Sequence, residues 1–122
     1  MTSLYVPDQA VNWIREHYAF LAKYQMCSVT ACMAIAEAPQ ACRHRMKAMM
    51  RHLVFDLDLP FPNWMLGKEG ADTASMVWGR GGEKYEVVFT SADAHFWKTD
   101  YFDPCTWITY TQTLVESPHE HG

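Results

Sequence analysis

Residues 40–53 read Gln40-Ala41-Cys42-Arg43-His44-Arg45-Met46-Lys47-Ala48-Met49-Met50-Arg51-His52-Leu53. They follow Pro39 and contain no glycine, no further proline and no β-branched residue, so nothing in them opposes a helix. Turned at about 100° per residue, Cys42, Met46, Met49 and Leu53 share one side. Gln40, Arg43, His44, Lys47 and Arg51 share the other. Four of the ten Lys and Arg residues lie between positions 43 and 51, with no acid among them. The stretch predicts a helix with one face built to pack and one built to meet something negative.

The rest of the chain is acidic. Over 122 residues the formal net charge is −4, but residues 1–53 carry six bases and three acids, and residues 54–122 four bases and eleven acids. Such asymmetry suggests one surface for a polyanion and another for something else. Hydrophobic residues make up 49% and aromatic residues 14%, enough for a core and too much for a disordered chain. The length predicts one α+β domain over residues 1–116 and a polar tail at 117–122. No Cys-x-x-Cys pair occurs among Cys27, Cys32, Cys42 and Cys105, so these read as reduced core residues of a cytoplasmic protein. The N-terminal residues have no basic start followed by an apolar run, and no apolar run reaches membrane-spanning length, so neither a signal peptide nor a span is expected.

Upstream of the basic stretch, residues 8–25 predict one helix, begun by Pro7 and Asp8. Val11, Ile14, Tyr18 and Leu21 form its stripe, widened by Trp13, Phe20 and Tyr24. So wide a face suggests either a central core helix or contact with more than one neighbour, a second copy of the chain among them. Ser28 suits an N-cap, and residues 29–36 form a short helix, apolar almost all round and so expected to be buried. Pro39 suits the first position of the helix that follows.

Downstream, Phe55, Leu57 and Leu59 alternate with Asp56 and Asp58, the pattern of a half-buried strand ended by Pro60 and Pro62. Residues 75–78 and 84–90 flank a glycine cluster and predict a hairpin. Residues 90–99 fit a helix capped by Thr90, with a strand as the competing assignment. Residues 106–115 read as a last strand. The fold class expected is α+β: an N-terminal three-helix unit, helix-turn-helix-like, then a small antiparallel sheet with a wing-like hairpin.

This order of elements, with Gly79-Arg80-Gly81-Gly82 at the hairpin tip, resembles winged helix-turn-helix domains over residues 8–90. The resemblance implies a DNA-binding regulator whose recognition helix is residues 39–53. Gln40, Arg43 and His44 would then reach base edges, Lys47 and Arg51 phosphates, and Arg80 would be the wing contact. Double-stranded DNA is the partner so implied.

The alternative is a non-enzymatic inhibitor of the kind carried by phages and mobile elements, one that binds a protein partner. Asp56, Asp58, Glu69 and Asp72 would form its acidic rim, able to imitate DNA, and Trp64, Met65 and Leu66 its apolar anchor. Enzyme chemistry finds little support. Asp56-x-Asp58 lacks further magnesium ligands, His119-Glu120-His121 lies in the tail, and Cys42 and His44 are two apart on a helix and cannot face each other. Neither a cofactor nor a metal is expected.

Overall fold

Where apolar residues recur every three or four positions the chain is helical; where glycines bracket β-branched and aromatic runs it is sheet. The computed structural model describes residues 5–67, 70, 72–103, 108–109 and 112–115. It begins with helices α1 (Asp8–Glu16), α2 (Tyr18–Lys23), α3 (Ser28–Ala36) and α4 (Gln40–Arg51), and α4 runs into one π-helical turn, His52–Asp56. Strands follow: β1 (Trp64–Gly67), β2 (Ala74–Arg80), β3 (Glu83–Phe89), β4 (Ala94–Thr99), β5 (Phe102–Asp103), β6 (Ile108–Thr109) and β7 (Gln112–Val115). The arrangement is α+β. Five strands form one antiparallel sheet in the order β1-β2-β3-β4-β7. The β5–β6 pair continues the β4–β7 ladder in the same register: Thr99 lies opposite Gln112, and Phe102 opposite Thr109.

Register decides which side chains meet the helices. Met65, Met76, Val87, Phe96 and Val115 lie in one row across the sheet. All except the half-buried Met65 are buried, and they join Trp78, Tyr85 and Phe89 in a single core with Ala31, Ile35, Cys42, Met46, Met49 and Leu53 of the helical half. Polar ties fix the helices over this row. Trp13 of α1 packs against the Tyr85 ring at 5.1 Å and donates from Nε1 to Glu83 Oε1 at 3.0 Å. Asn63 holds α2 to β2: its Nδ2 donates to the Leu21 carbonyl (3.3 Å) and its Oδ1 accepts from Gly79 N (2.9 Å). Gly67 is required where β1 passes the α3–α4 turn, because a Cβ there would stand 2.8 Å from Ala74 Cβ and 3.3 Å from Ala38 Cβ.

On the opposite sheet face, Lys84 and Glu86 are buried and paired at 2.7 Å, and Gln112 Nε2 donates to the same Glu86 oxygen. Desolvated charges of this kind are tolerated because each satisfies the other; removing one alone would strand its partner.

Several expectations are corrected. Residues 8–25 are two helices. His17 breaks them: its backbone leaves the helical region, its Nδ1 donates to the Trp13 carbonyl at 2.8 Å, and its ring lies on Trp13 at 4.5 Å. The break swings Tyr18 out of the stripe, whereas Val11, Trp13, Ile14 and Leu21 are spent on the chain's own core. Cys27, not Ser28, caps α3; its Sγ accepts from Thr30 N.

Residues 29–36 are not buried all round. Ala31 and Ile35 are buried, but Val29 is 65% and Met33 60% exposed, because a single neighbouring layer covers only one side of the helix. Of the strand expected at residues 54–59, residues 54–56 belong to the π-turn instead and 57–59 are irregular. Leu57 N donates to the His52 carbonyl, and His52 Nδ1 meets Asp56 at 3.0 Å, so the helical stripe ending in Leu53 wins over a short alternation and leaves Phe55 69% exposed. Two of the cysteines expected in the core, Cys27 and Cys32, are exposed; Cys42 is buried, and Cys105 lies outside the described residues.

Residues 94–99 are strand. Thr90 uses its capping chemistry to close the β3–β4 turn: its hydroxyl accepts from Ala92 N and Asp93 N and donates to Asp93 Oδ1 at 2.8 Å. The expected hairpin forms as β2–β3, turning at Gly81 with φ +62°. It is built into the interior of a five-stranded sheet, and nothing about it confirms a wing. Of the last strand expected, residues 108–109 and 112–115 are strand, and the remainder, like the 117–122 tail, lies outside the described residues.

Two outcomes follow from these ties. Asn63→Ala strips the buried Gly79 amide of its acceptor and lowers unfolding free energy by about 1–3 kcal/mol; an unchanged urea midpoint would refute the tie. The Thr90 hydroxyl, and after it His95, hold the Asp93 carboxyl below the ordinary carboxylate value. A depressed folded-state value contributes stability above the unfolded carboxylate pKa and loses it as pH falls through the folded one. The stability gap between wild type and Asp93→Ala is therefore widest near neutrality and narrows in acid, as urea titrations across pH will show.

Candidate functional site

A helix lying on a sheet spends one side on the core and leaves the other in water. In α4 the spent side is Cys42, Met46, Met49 and Met50. Its open side is Gln40, His44, Lys47 and Arg51, all exposed and in line along the helix. Neither Lys47 nor Arg51 has an ion pair among the described residues.

The two remaining arginines are engaged with the fold. Arg43 is half-buried and donates from Nε to the Ala38 carbonyl (2.7 Å), clasping the α3–α4 turn. Arg45 donates from Nη1 to the Thr90 carbonyl (3.0 Å) and pins α4 to the β3–β4 turn. The cationic ridge is thus narrower than the sequence implied.

Beside it stands a feature that the sequence reading missed. On α3, Val29, Cys32, Met33 and Ala36 are exposed at i, i+3, i+4 and i+7, a continuous apolar stripe opposite the buried Ala31 and Ile35. The signal lies in the all-round apolarity of residues 29–36, which by itself predicts burial. Since α3 and α4 both turn their buried sides into one core, the stripe and the ridge both face away from it.

Arg80 lies far from the N-terminal half of α4. Cys42 Sγ reaches the Phe89 carbonyl, at the end of the sheet where Phe89 lies opposite Ala74. Arg80 is six residues further along β2, about 20 Å at strand spacing. Its guanidinium stands 4.9 Å over the Phe20 ring, at a cleft of about 240 Å³ that Phe20, Tyr24, Asn63 and Trp64 line with it.

The acidic rim is not assembled. Asp72 lies at the N-terminal half of α4, where its carbonyl meets Cys42 Sγ at 3.9 Å. Asp56 and Asp58 follow the far end of that helix, about 20 Å away at helical rise. Asp56 is paired with His52, and Asp58 has φ +62°. Glu69 lies outside the described residues. The apolar anchors are split between faces: Met65 packs on the core, whereas Trp64 and Leu66, opposite Val77 and Ser75, share the other sheet face, with Trp64 at the cleft. Among the described residues no three His, Cys, Asp or Glu side chains converge as a metal would need.

Comparison with protein-family models, with curated proteins and with solved structures finds no match. Among the described residues no helix is long and apolar enough to cross a membrane.

The cysteines report on the α3 surface. The Thr30 hydroxyl and then the Thr30 backbone N–H hold the exposed Cys27 thiol below its ordinary value. Burial pushes the Cys42 thiol up, partly opposed by Arg45. Thiolate is the reacting form, so iodoacetamide modifies Cys27 in the folded protein at a lower pH than a free cysteine, while Cys42 reacts only on unfolding. Peptide mapping by mass spectrometry checks the order; equal rates at Cys27 and Cys42 would contradict it.

Proposed function

We propose that this chain is a binding protein whose α3–α4 pair docks on a partner protein, with apolar contacts from Val29, Cys32, Met33 and Ala36 and charged contacts from Lys47 and Arg51. The observation that carries this reading is the bare stripe on α3. Water is a poor environment for Val29 and Met33, and exposed apolar helix faces rimmed by polar residues mark interaction sites. The neighbouring cations define the partner's chemistry: an apolar patch edged by carboxylates, which Lys47 and Arg51 would steer into register.

Duplex DNA is the second reading, favoured by the unpaired Lys47 and Arg51 and by the short turn between α3 and α4. It uses the ridge alone. A duplex seated there would bring its phosphates towards α3, whose outer face offers them only the hydroxyls of Ser28 and Thr30 and no cation. A protein partner uses both surfaces.

The test isolates a partner by affinity capture, then titrates the purified pair. Met33→Glu is expected to weaken the complex at least tenfold with an unchanged melting temperature. Lys47→Glu with Arg51→Glu should slow association and flatten its salt dependence. Random duplex DNA at low salt is the parallel arm. Duplex binding lost with Lys47→Ala and Arg51→Ala, together with indifference to Met33→Glu, would replace the protein reading with the DNA one. Concentration-dependent self-association abolished by Met33→Glu would make the partner a second copy and overturn it too.

A further inference from the structure

The cleft under Arg80 shares no residue with the α3–α4 surface. It forms where α2 meets the start of β1 and the end of β2, and its volume, about 240 Å³, lies below that of sites for drug-sized ligands, about 300–1,000 Å³. It suits one ring system. Phe20, Tyr24 and Trp64 supply aromatic surface, with Phe20 and Tyr24 centroids 4.9 Å apart. The site is built before any ligand arrives. Asn63 is buried and bonds both α2 and β2, Met26 N donates to the Pro62 carbonyl (2.9 Å), and Phe61 N donates to Gln25 Oε1 (2.8 Å), so the elements around the cleft are fixed to one another.

Charge is the second observation. Arg80 stands over Phe20, and Lys23 over Tyr24 with Nζ 5.7 Å from the ring centroid. Neither has a carboxylate partner among the described residues, and no acid lines the cleft. In a chain of net charge −4, an arginine that lines an aromatic hollow, with Lys23 outside the lining on the Tyr24 ring, selects a ligand that is both aromatic and anionic.

We infer that this cleft binds a nucleotide, its base against Phe20, Tyr24 and Trp64 and its phosphate against Arg80. Stacking on aromatic rings tolerates any base, and an arginine fork satisfies phosphate oxygens while lying on a ring. A free mononucleotide and one residue of a single strand present the same chemistry. A duplex does not, because its bases are stacked on each other.

The experiment is an amide-resolved NMR titration of the full chain with AMP, UMP, a ten-residue oligothymidylate and inorganic phosphate. Nucleotide should shift the Gly79 and Gly81 amides and the Asn63 side-chain amide. Arg80→Ala and Tyr24→Ser change exposed side chains and leave the fold intact, and each should weaken binding about tenfold. Lys47→Ala and Arg51→Ala should leave it unchanged, which separates this site from any binding on α4. Mononucleotide binding identifies a small-molecule site; binding of the oligonucleotide alone identifies a single-strand site. No shift at millimolar nucleotide, or inorganic phosphate binding as well as AMP, overturns the inference.

Discussion

Six side chains of α3, α4 and the turn beyond, Ala31, Ile35, Cys42, Met46, Met49 and Leu53, must reach one apolar sheet face together. That requirement fixes the roll of both helices and so decides what each shows to water. The rows Met65-Met76-Val87-Phe96-Val115 and Trp78-Tyr85 are the surface they must cover. Burying a side chain of this size contributes about 1.5–3 kcal/mol, so the inward set outweighs any preference of the outward one. Val29 and Met33 are left in solvent because Ala31 and Ile35 cannot be, and Lys47 and Arg51 stand clear because Met46 and Met50 are spent below them.

The same constraint explains what the sequence revealed and what it withheld. The α4 pattern was legible because its two faces differ in chemistry; a wheel separates Cys42 and Met46 from Lys47 and Arg51 without knowledge of the sheet. The β2–β3 hairpin was legible because glycine at position 81 is a local demand of the turn. Helix α3 was not. With apolar residues on every side, periodicity cannot say which half is buried, and only the number of neighbouring layers decides. The break at His17 has no glycine or proline to announce it and depends on a side chain folding back onto Trp13. Residues 54–59 read as strand because five alternating residues satisfy a two-residue period, but the i to i+5 bond from Leu57 N to the His52 carbonyl prolongs a helix already nucleated. Asn63 carries no local signal of a site, and Phe20 and Tyr24 read only as the flank of a helix stripe, for a related reason: the three meet only through long-range packing.

Charge follows the layers as well. The carboxylates outnumber the cations, yet several of them are occupied within the fold. Glu83 accepts from Trp13, Glu86 is paired with Lys84, Asp56 with His52, and Asp93 with Thr90 and His95. Carboxylates so engaged compete less for Lys23, Arg80, Lys47 and Arg51. The outer-face pair Lys84–Glu86 adds a consequence for specificity. Two charges in a desolvated position cannot be matched if β3 slips by one residue, because the slip turns both towards the apolar core. The pair thereby holds the β2–β3 register that carries Arg80 to the cleft.

Net charge is therefore a poor guide to what this molecule binds. At physiological ionic strength charges are screened over about 8 Å, less than the roughly 20 Å that separates Arg80 from the N-terminal half of α4 along the sheet. A ligand at the cleft meets Arg80, and a partner at α4 meets Lys47 and Arg51, which belong to different elements of the fold. Two surfaces that share no residue can be mutated separately. An overall acidic chain can thus carry two separate cationic sites, one set on an apolar helix face and one set on aromatic rings. The neighbours that accompany the cations of each site, Val29 and Met33 in the first case and Phe20, Tyr24 and Trp64 in the second, make their ligands different in kind.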